Sequence, residues 1–177
     1  MTPLAAMGVR VRVADSGDAA ELAEVAAATF PLACPPTTRA GDIAATIAAY
    51  LSEECFAGYL RDPDRRVLAA RDGSRIVGYA MLVRDDTGPS TVVELSKIYL
   101  SPAQHRTGAA GALMEAGLTW AADVGAQSVW LGVNQTNRRA QRFYRKHGFE
   151  ITGTRTFTLG QSVEDDYVMT RVITGVI

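Results

Sequence analysis

Residues 94–114, ELSKIYLSPAQHRTGAAGALM, constrain the fold most, because they combine a strand, a turn of small residues and the start of a helix. A helix N-terminus carries free backbone N–H groups and the positive end of the helix dipole, so this order of elements can bind an anion. The small residues 108–111 let a ligand approach that backbone closely. The segment is therefore predicted to be a pyrophosphate cradle, with an ordinary small-residue connection between strand and helix as the alternative.

Two common phosphate-binding motifs are absent from this segment. It lacks the Gly-Lys-Ser/Thr ending of a nucleotide-triphosphate P-loop. Gly108 and Gly111 alone do not make the three-glycine dinucleotide fingerprint, and no strand-helix-strand unit with a following acidic residue supports it. The turn is therefore neither of these two nucleotide sites.

Length and composition indicate one ordered domain, which is expected to span residues 1–177. Hydrophobic residues make up 47% of the chain and charged residues 21%, values that argue against disorder. A formal net charge of −1 does not favour nucleic acid or an anionic membrane as a partner.

The cysteines and the apolar runs indicate the environment of the chain. Cys34 and Cys55 show no metal-ligand spacing, so no metal site is expected. No apolar run reaches transmembrane length, and the first ten residues lack the order of a signal peptide. These features predict a cytoplasmic protein in a reduced setting.

Hydrophobic periodicity and turn residues predict the element order β-α-α-β-β-β-α-β-α-β-β. The first helix is predicted to end at Phe30-Pro31, because proline cannot continue a helix. This order suits a mixed sheet with helices on both faces, an α/β (α+β) fold. The predicted strands lie at 9–13, 66–70, 76–83, 92–100, 127–133, 149–159 and 165–172, and the predicted helices at 18–29, 41–60 (one or two), 107–124 and 137–147.

Two segments resemble the signatures of the GNAT N-acetyltransferase superfamily. In the first, Gly108 and Ala110 follow a strand and a proline and precede Leu113-Met114, as in the acetyl-CoA signature, while His105 stands where Gln or Arg is usual. The second, NQTNRRAQRFYRKHGF (134–149), matches at Asn137, Ala140, Phe143, Tyr144, Gly148 and Phe149. The resemblance covers about residues 9–173, and the chain looks most similar to bacterial Pai-type spermidine/spermine N-acetyltransferases.

This resemblance implies a fold and a co-substrate. The expected fold is a central, mostly antiparallel mixed sheet of about seven strands, splayed in the middle, with helices on both faces. Acetyl-CoA is expected to place its pantetheine arm in the splay, paired with the backbone of one strand. The implied acetyl-CoA-binding residues are Ile98, Tyr99, Leu100, His105, Arg106, Thr107, Gly108, Ala109, Ala110, Gly111, Asn137 and Tyr144. Asn137 is expected either to bind the pantetheine or only to cap its helix.

The implied reaction needs a base and an acid. Free amines have a pKa near ~10, so a base must remove a proton before or during attack on the thioester. Glu94 matches the family's general-base glutamate, with a surface glutamate paired with Lys97 or another cation as the alternative. Tyr144 matches the tyrosine that donates to the CoA sulfur, with a core aromatic as the alternative. Strand periodicity is expected to place Glu94, Ser96 and Ile98 on one face, where the Ile98 N–H would stabilise the oxyanion.

The expected acceptor is a polyamine or another small primary amine. Ser96 and an acidic group are expected to line its site, and a solvated helix face is the alternative for the glutamate pair at 53–54. A protein or peptide N-acetyltransferase, a non-catalytic acetyl-CoA sensor and a structural or partner-binding domain are the alternative functions, and a homodimer is left open. The acidic group consists of Glu53, Glu54, Glu94, Asp165 and Asp166.

Overall fold

Seven strands form one mixed sheet in the computed structural model, which describes residues 8–173. Residues 1–7, part of the stretch in which no signal peptide was expected, and residues 174–177 lie outside the described part. The strands are β1 (Arg10–Val13), β2 (Arg65–Asp72), β3 (Arg75–Asp85), β4 (Val92–Leu100), β5 (Ser128–Asn134), β6 (Glu150–Leu159) and β7 (Ser162–Val172). Their order across the sheet is β1-β2-β3-β4-β5-β7-β6, and only the β4–β5 pair is parallel. The predicted mixed, mostly antiparallel sheet is confirmed.

The helices cover both faces of the sheet, as predicted. They are α1 (Ala19–Ala33), α2 (Ala40–Tyr50), α3 (Glu53–Arg61), α4 (Ala109–Asp123) and α5 (Arg138–Lys146), with short 3₁₀ turns at Ser16–Asp18 and Pro102–Gln104. One apolar core lies between the sheet and α4, with α5 packed against it, and it contains Leu113, Val129 and Met169. A second core lies on the opposite face beneath α1 and α3, around Leu22 and Phe56.

The first helix is longer than the sequence predicted. It continues past Pro31 to Ala33, so the predicted end at Phe30-Pro31 is wrong. A proline lacks only its own N–H, and in the last turn of a helix this costs a single hydrogen bond. The Cys34 N–H then donates to the Pro31 carbonyl and ends the helix. This extra turn carries Phe30 and Ala33 to the edge of a cavity described below.

Strands β4 and β5 are paired over only part of their length. Their three paired positions run from Val92 with Ser128 to Glu94 with Trp130. Beyond Glu94 the two strands separate, while β4 stays paired with β3 up to Leu100. The splay expected from the family resemblance is therefore confirmed, and it leaves one edge of β4 unpaired from Leu95 onward.

A β-bulge at Ser96 changes which side chains share a face of β4. Leu95 pairs with Leu82 and Lys97 pairs with Met81, so Ser96 is an extra residue between them. The bulge shifts the alternation, and Ile98 therefore packs with Leu95 on the α4 side. The expectation that Glu94 and Ile98 share a face is wrong, because regular period-2 geometry does not continue through the bulge.

Candidate active site

The predicted cradle is a tightly curled turn at the N-terminus of α4. Gly108, the N-cap residue, has a φ of 85°, and Arg106 has a φ of 69°, so two left-handed residues flank Thr107. A Cβ added at Gly108 would meet no atom within 4 Å, so the space above this backbone is open. The N–H groups of the first turn of α4 have no intrahelical acceptor, and the helix dipole adds positive charge there. This geometry fits an anionic phosphate group.

The side chains of this turn divide into exposed and structural ones. His105 and Arg106 are exposed, and so is Thr107, whose hydroxyl donates to the Gln104 carbonyl at 2.7 Å. Ala109 is buried, while Ala110 and Gly111 are half-buried in the first turn of α4. The Thr107 hydroxyl also accepts from the Ala109 N–H at 3.4 Å, and the other side chains leave the backbone of the turn accessible.

A cavity of about 250 Å³ lies in the split between β4 and β5, and we call it the gap cavity. Its walls come from residues 95–99 of β4 and 132–134 of β5, both beyond the last paired position. Ile98, Tyr99, Asn137 and Tyr144 all line it. Leu100 is not among its lining residues and packs against the core beneath α4. Three elements that are distant in sequence are thus brought to the unpaired edge of β4.

Asn137 and Tyr144 have structural roles beside their place in the gap cavity. The Asn137 Oδ1 atom accepts from the Ala140 N–H at 3.1 Å and caps α5. The Tyr144 ring packs edge-on against Phe143 and Phe149, with centroid distances of 5.6 and 6.1 Å. Each residue therefore has the structural role that was given as its alternative, and it also lines the cavity.

Burial changes the acidity of the two tyrosines that line the gap cavity. Burial, and secondarily the neighbouring Tyr99, raises the pKa of the Tyr144 hydroxyl above its ordinary value of 10.0. Burial raises the pKa of the Tyr99 hydroxyl to about 12, with smaller contributions from Cys34 and Asp166. Both hydroxyls therefore keep their protons at neutral pH and are available as donors.

A second cavity of about 620 Å³, which we call the outer chamber, lies between α2, β4 and β6. Glu94 lines this chamber, together with Ser96 and Lys97. Ser96, Lys97 and Tyr99 also line the gap cavity, so the two spaces share a wall at the bulge. Glu94 and Tyr144 therefore lie in adjoining spaces rather than in one groove.

Lys97 is a residue of this site that the sequence reasoning considered only as a partner for Glu94. Desolvation by burial lowers the pKa of the Lys97 ammonium from 10.5, while Glu94 opposes the shift and Arg65 adds to it. The Lys97 Nζ donates to the Ser96 hydroxyl at 3.3 Å. The sequence does carry a signal for this placement, since two polar residues interrupt the apolar alternation of Val93 and Leu95 before Ile98 resumes it.

The acidic residues predicted for the acceptor site are not all brought together. Glu53 and Glu54 are exposed in the first turn of α3, where they complement the helix dipole, and they line neither cavity. Asp165 is also exposed. Asp166 lines the gap cavity, and so does Glu164, which the sequence reasoning missed although it lies two residues away on the same face of β7.

The carboxylates of β7 already have partners in the protein. The Arg155 Nε lies 3.5 Å from an Asp166 carboxylate oxygen, and the guanidinium stacks over Trp130 at 5.5 Å from the ring centroid. Burial raises the pKa of Asp166, and Arg155 opposes this shift. Glu164 accepts from the Asn134 amide at 3.2 Å. These contacts hold the acidic side of the gap cavity in place.

A membrane-spanning helix and a metal-binding cluster are both absent from the described part of the chain. Between residues 8 and 173, no helix has both the length and the apolar character needed to cross a membrane. No group of three His, Cys, Asp or Glu residues in the same range could hold a metal ion. Cys34 lines the gap cavity as a free thiol whose pKa is raised by burial and, less, by Glu164.

The sheet is split at its parallel pair, and a helix N-terminus with an open backbone follows the split strand, an arrangement that fits an acyltransferase of the kind that uses a CoA thioester. The chain belongs to the acetyltransferase (GNAT) family, whose model matches residues 28–149. It is an N-acetyltransferase by this membership.

Relatives and solved structures agree with this family. The chain is 61% identical over 154 residues to an uncharacterized N-acetyltransferase of Mycobacterium tuberculosis (strain H37Rv), a match that covers 87% of this chain and 97% of the relative. Its fold is similar to that of a PaiA N-acetyltransferase from Thermoplasma acidophilum in complex with coenzyme A, with a TM-score of 0.81, 21% identity and coverage of 94% and 100%. It is also similar to Arabidopsis thaliana NAA60 in complex with acetyl-CoA, with a TM-score of 0.75, 17% identity and coverage of 94% and 99%.

Proposed function

We propose that this protein transfers the acetyl group of acetyl-CoA to a primary amine of a small molecule. The observation that carries the proposal is the position of the gap cavity. It lies between the unpaired edge of β4 and the side of α5 that carries the Tyr144 hydroxyl, and it shares lining residues with the outer chamber. A thioester and an amine that enter from opposite sides would meet there.

The residues of the chain fit the co-substrate in two places. The open backbone at Gly108 and the N-terminus of α4 would bind the phosphates of CoA through N–H groups. The unpaired edge of β4 around Ile98 would bind the pantetheine arm as an added strand. These contacts use backbone atoms, so His105 in place of the usual Gln or Arg removes only a side-chain contribution.

Proton transfer is assigned to Glu94 and Tyr144. Glu94 lies on the acceptor side, where its carboxylate would take the amine proton through water as the nitrogen attacks the thioester. The Ile98 N–H would stabilise the carbonyl oxygen as negative charge develops on it. Tyr144, which keeps its proton at neutral pH, would donate to the departing CoA sulfur.

A polyamine is the acceptor that the family resemblance implied. Of the predicted acidic group, Glu94 lines the outer chamber on the acceptor side, Asp166 lines the gap cavity and is paired with Arg155, and Glu53 and Glu54 line neither cavity. Peptide acetylation and acetyl-CoA sensing without turnover are the alternatives that the assay below separates. The cytoplasmic location and a homodimer stay predictions.

The test is an assay of CoA thiol release with a panel of amines and one peptide array. A small-molecule N-acetyltransferase releases thiol with at least one small amine, and the product carries one acetyl group on nitrogen. Release only with peptides would favour the peptide alternative. Binding of acetyl-CoA without release under any condition would leave the sensor as the function.

A further inference from the structure

The outer chamber contains a cation that the proposed chemistry does not use. Lys97 lies beneath α2 on the same face of β4 as Glu94, and both side chains line the chamber. Within residues 8–173, Lys97 forms no ion pair, since the Glu94 carboxylate attracts it without direct contact, and its hydrogen bond goes to the neutral Ser96 hydroxyl. An ammonium removed from water without an anionic partner is destabilised.

The other charges around the chamber are already balanced. Arg155, which also lines it, is paired with Asp166. Arg65, the second cation near Lys97, is paired with Asp62 at 3.0 Å. The unpaired charges of the chamber are therefore one carboxylate, on Glu94, and one ammonium, on Lys97.

This pair of charges matches a ligand that carries both signs. An amine group would lie next to the Glu94 carboxylate, which is its proposed base, and an anion of the same molecule would pair with Lys97. A polyamine matches the chamber poorly, because its second cation would approach Lys97 with like charge. The aromatic side chains of Phe30, Tyr50 and Phe157 also line the chamber and supply apolar walls.

We propose that Lys97 binds a carboxylate of the acceptor, so that the substrate is a small molecule bearing both a primary amine and a carboxylate, such as an amino acid. This inference rests on the proposed N-acetyltransferase function and names the substrate class of its site. Binding of the carboxylate gives Lys97 its missing partner and lowers KM, while the chemistry at the amine stays with Glu94 and Tyr144.

The test compares acceptors that differ only in the carboxylate. L-lysine is matched with 1,5-diaminopentane, and L-phenylalanine with 2-phenylethylamine. With the parent protein, we expect kcat/KM to be about ten-fold or more higher for the carboxylate-bearing member of a pair, as for a charge-assisted hydrogen bond. Lys97→Met should raise KM for that member and abolish the difference within the pair. Arg61→Met, which removes an exposed cation of α3 outside both cavities, is the matched control and should keep the preference.

A binding measurement separates this inference from the catalytic proposal. The probe is 3-phenylpropanoate, which has the carboxylate and ring of phenylalanine but no amine. Its binding in the presence of CoA, followed by NMR titration, should be saturable in the parent and weakened about ten-fold by Lys97→Met.

Two results would overturn the inference. One is equal or faster acetylation of the two decarboxylated amines, which would leave the N-acetyltransferase function intact. The other is 3-phenylpropanoate binding that is absent or that survives Lys97→Met. Failure of acetyl-CoA to bind, by contrast, would contradict the proposed function itself.

Discussion

Lys97 shows how one desolvated residue affects both stability and recognition. Its folded-state pKa lies below its ordinary 10.5, so the ammonium destabilises the fold at neutral pH. Because its pKa is lower in the fold, Lys97 binds more protons in the unfolded chain than in the folded one, so the free energy of unfolding rises with pH. The destabilisation is therefore largest below the folded-state pKa and disappears as the pH rises through 10.5. We therefore expect Lys97→Met to raise Tm at pH 7, with a gain that shrinks towards pH 10.

The pH dependence is the diagnostic part of this experiment. The packing of the methionine side chain contributes equally at every pH, whereas the cost of desolvating the Lys97 ammonium depends on its protonation, and Glu94 and Arg65 are the charged groups that act on it. Thermal melts of Lys97→Met, Arg61→Met and the parent at several pH values measure the effect. A gain that is constant with pH would contradict the desolvation of Lys97.

Glu94 is the residue whose replacement should change kcat in the most pH-dependent way. Glu94→Gln keeps the shape of the side chain and removes the base, so kcat should fall by ~10²–10⁴-fold near neutral pH. The deficit should shrink at high pH, because the amine then supplies its own neutral form. A pH–rate profile of the two proteins with one amine measures this, and a kcat profile equal to the parent's would exclude the base role. A rise in KM alone would instead indicate that Glu94 only attracts the amine.

Tyr144 is predicted to act mainly at the transition state. Tyr144→Phe removes the hydroxyl and keeps the ring contacts with Phe143 and Phe149. We expect kcat to fall about ten-fold or more while the affinity for acetyl-CoA changes little. Steady-state kinetics and a direct binding titration test this, and an unchanged rate would make Tyr144 a packing residue only.

At the scale of elements, the bulge in β4 and the turn before α4 decide what the site can bind. The bulge turns Lys97 towards the outer chamber and Ile98 towards the α4 core. The left-handed Gly108 opens the helix N-terminus. Both are local departures from regular geometry, and such departures often occur near functional sites.

Gly108 gives a test with a matched pair of variants. At a φ of 85°, any side chain is strained, so Gly108→Ala should lower stability by about 1–2 kcal/mol but keep the Tm increase caused by acetyl-CoA. Gly108→Asp adds a negative charge beside the phosphates and should abolish that increase. Thermal melts with and without acetyl-CoA separate strain from repulsion. Retention of the increase in Gly108→Asp would place the phosphates elsewhere.

At the scale of the whole molecule, the sequence predicted the order of elements better than the shape of the site. Strand and helix periodicity is local, so the strands and helices were placed within a few residues, and the two signatures indicated the split sheet. The outer chamber depends on contacts between α2, β4 and β6, which no local pattern reports. Glu53 and Glu54 do not line it, because both side chains are exposed to solvent in the first turn of α3.

The split sheet leads to a prediction for the whole fold. A ligand in the gap restores contacts along β4 and binds only the folded protein, so acetyl-CoA at 100 times its Kd should stabilise the fold by about 2.7 kcal/mol. For a chain of this size, that corresponds to roughly 5–11 °C in Tm. Hydrogen exchange should slow at the unpaired end of β4 and in the turn before α4, and change little in β1 and β2, which lie on the far side of β3. Uniform protection, or protection confined to β6 and β7, would mean that acetyl-CoA does not occupy the split between β4 and β5.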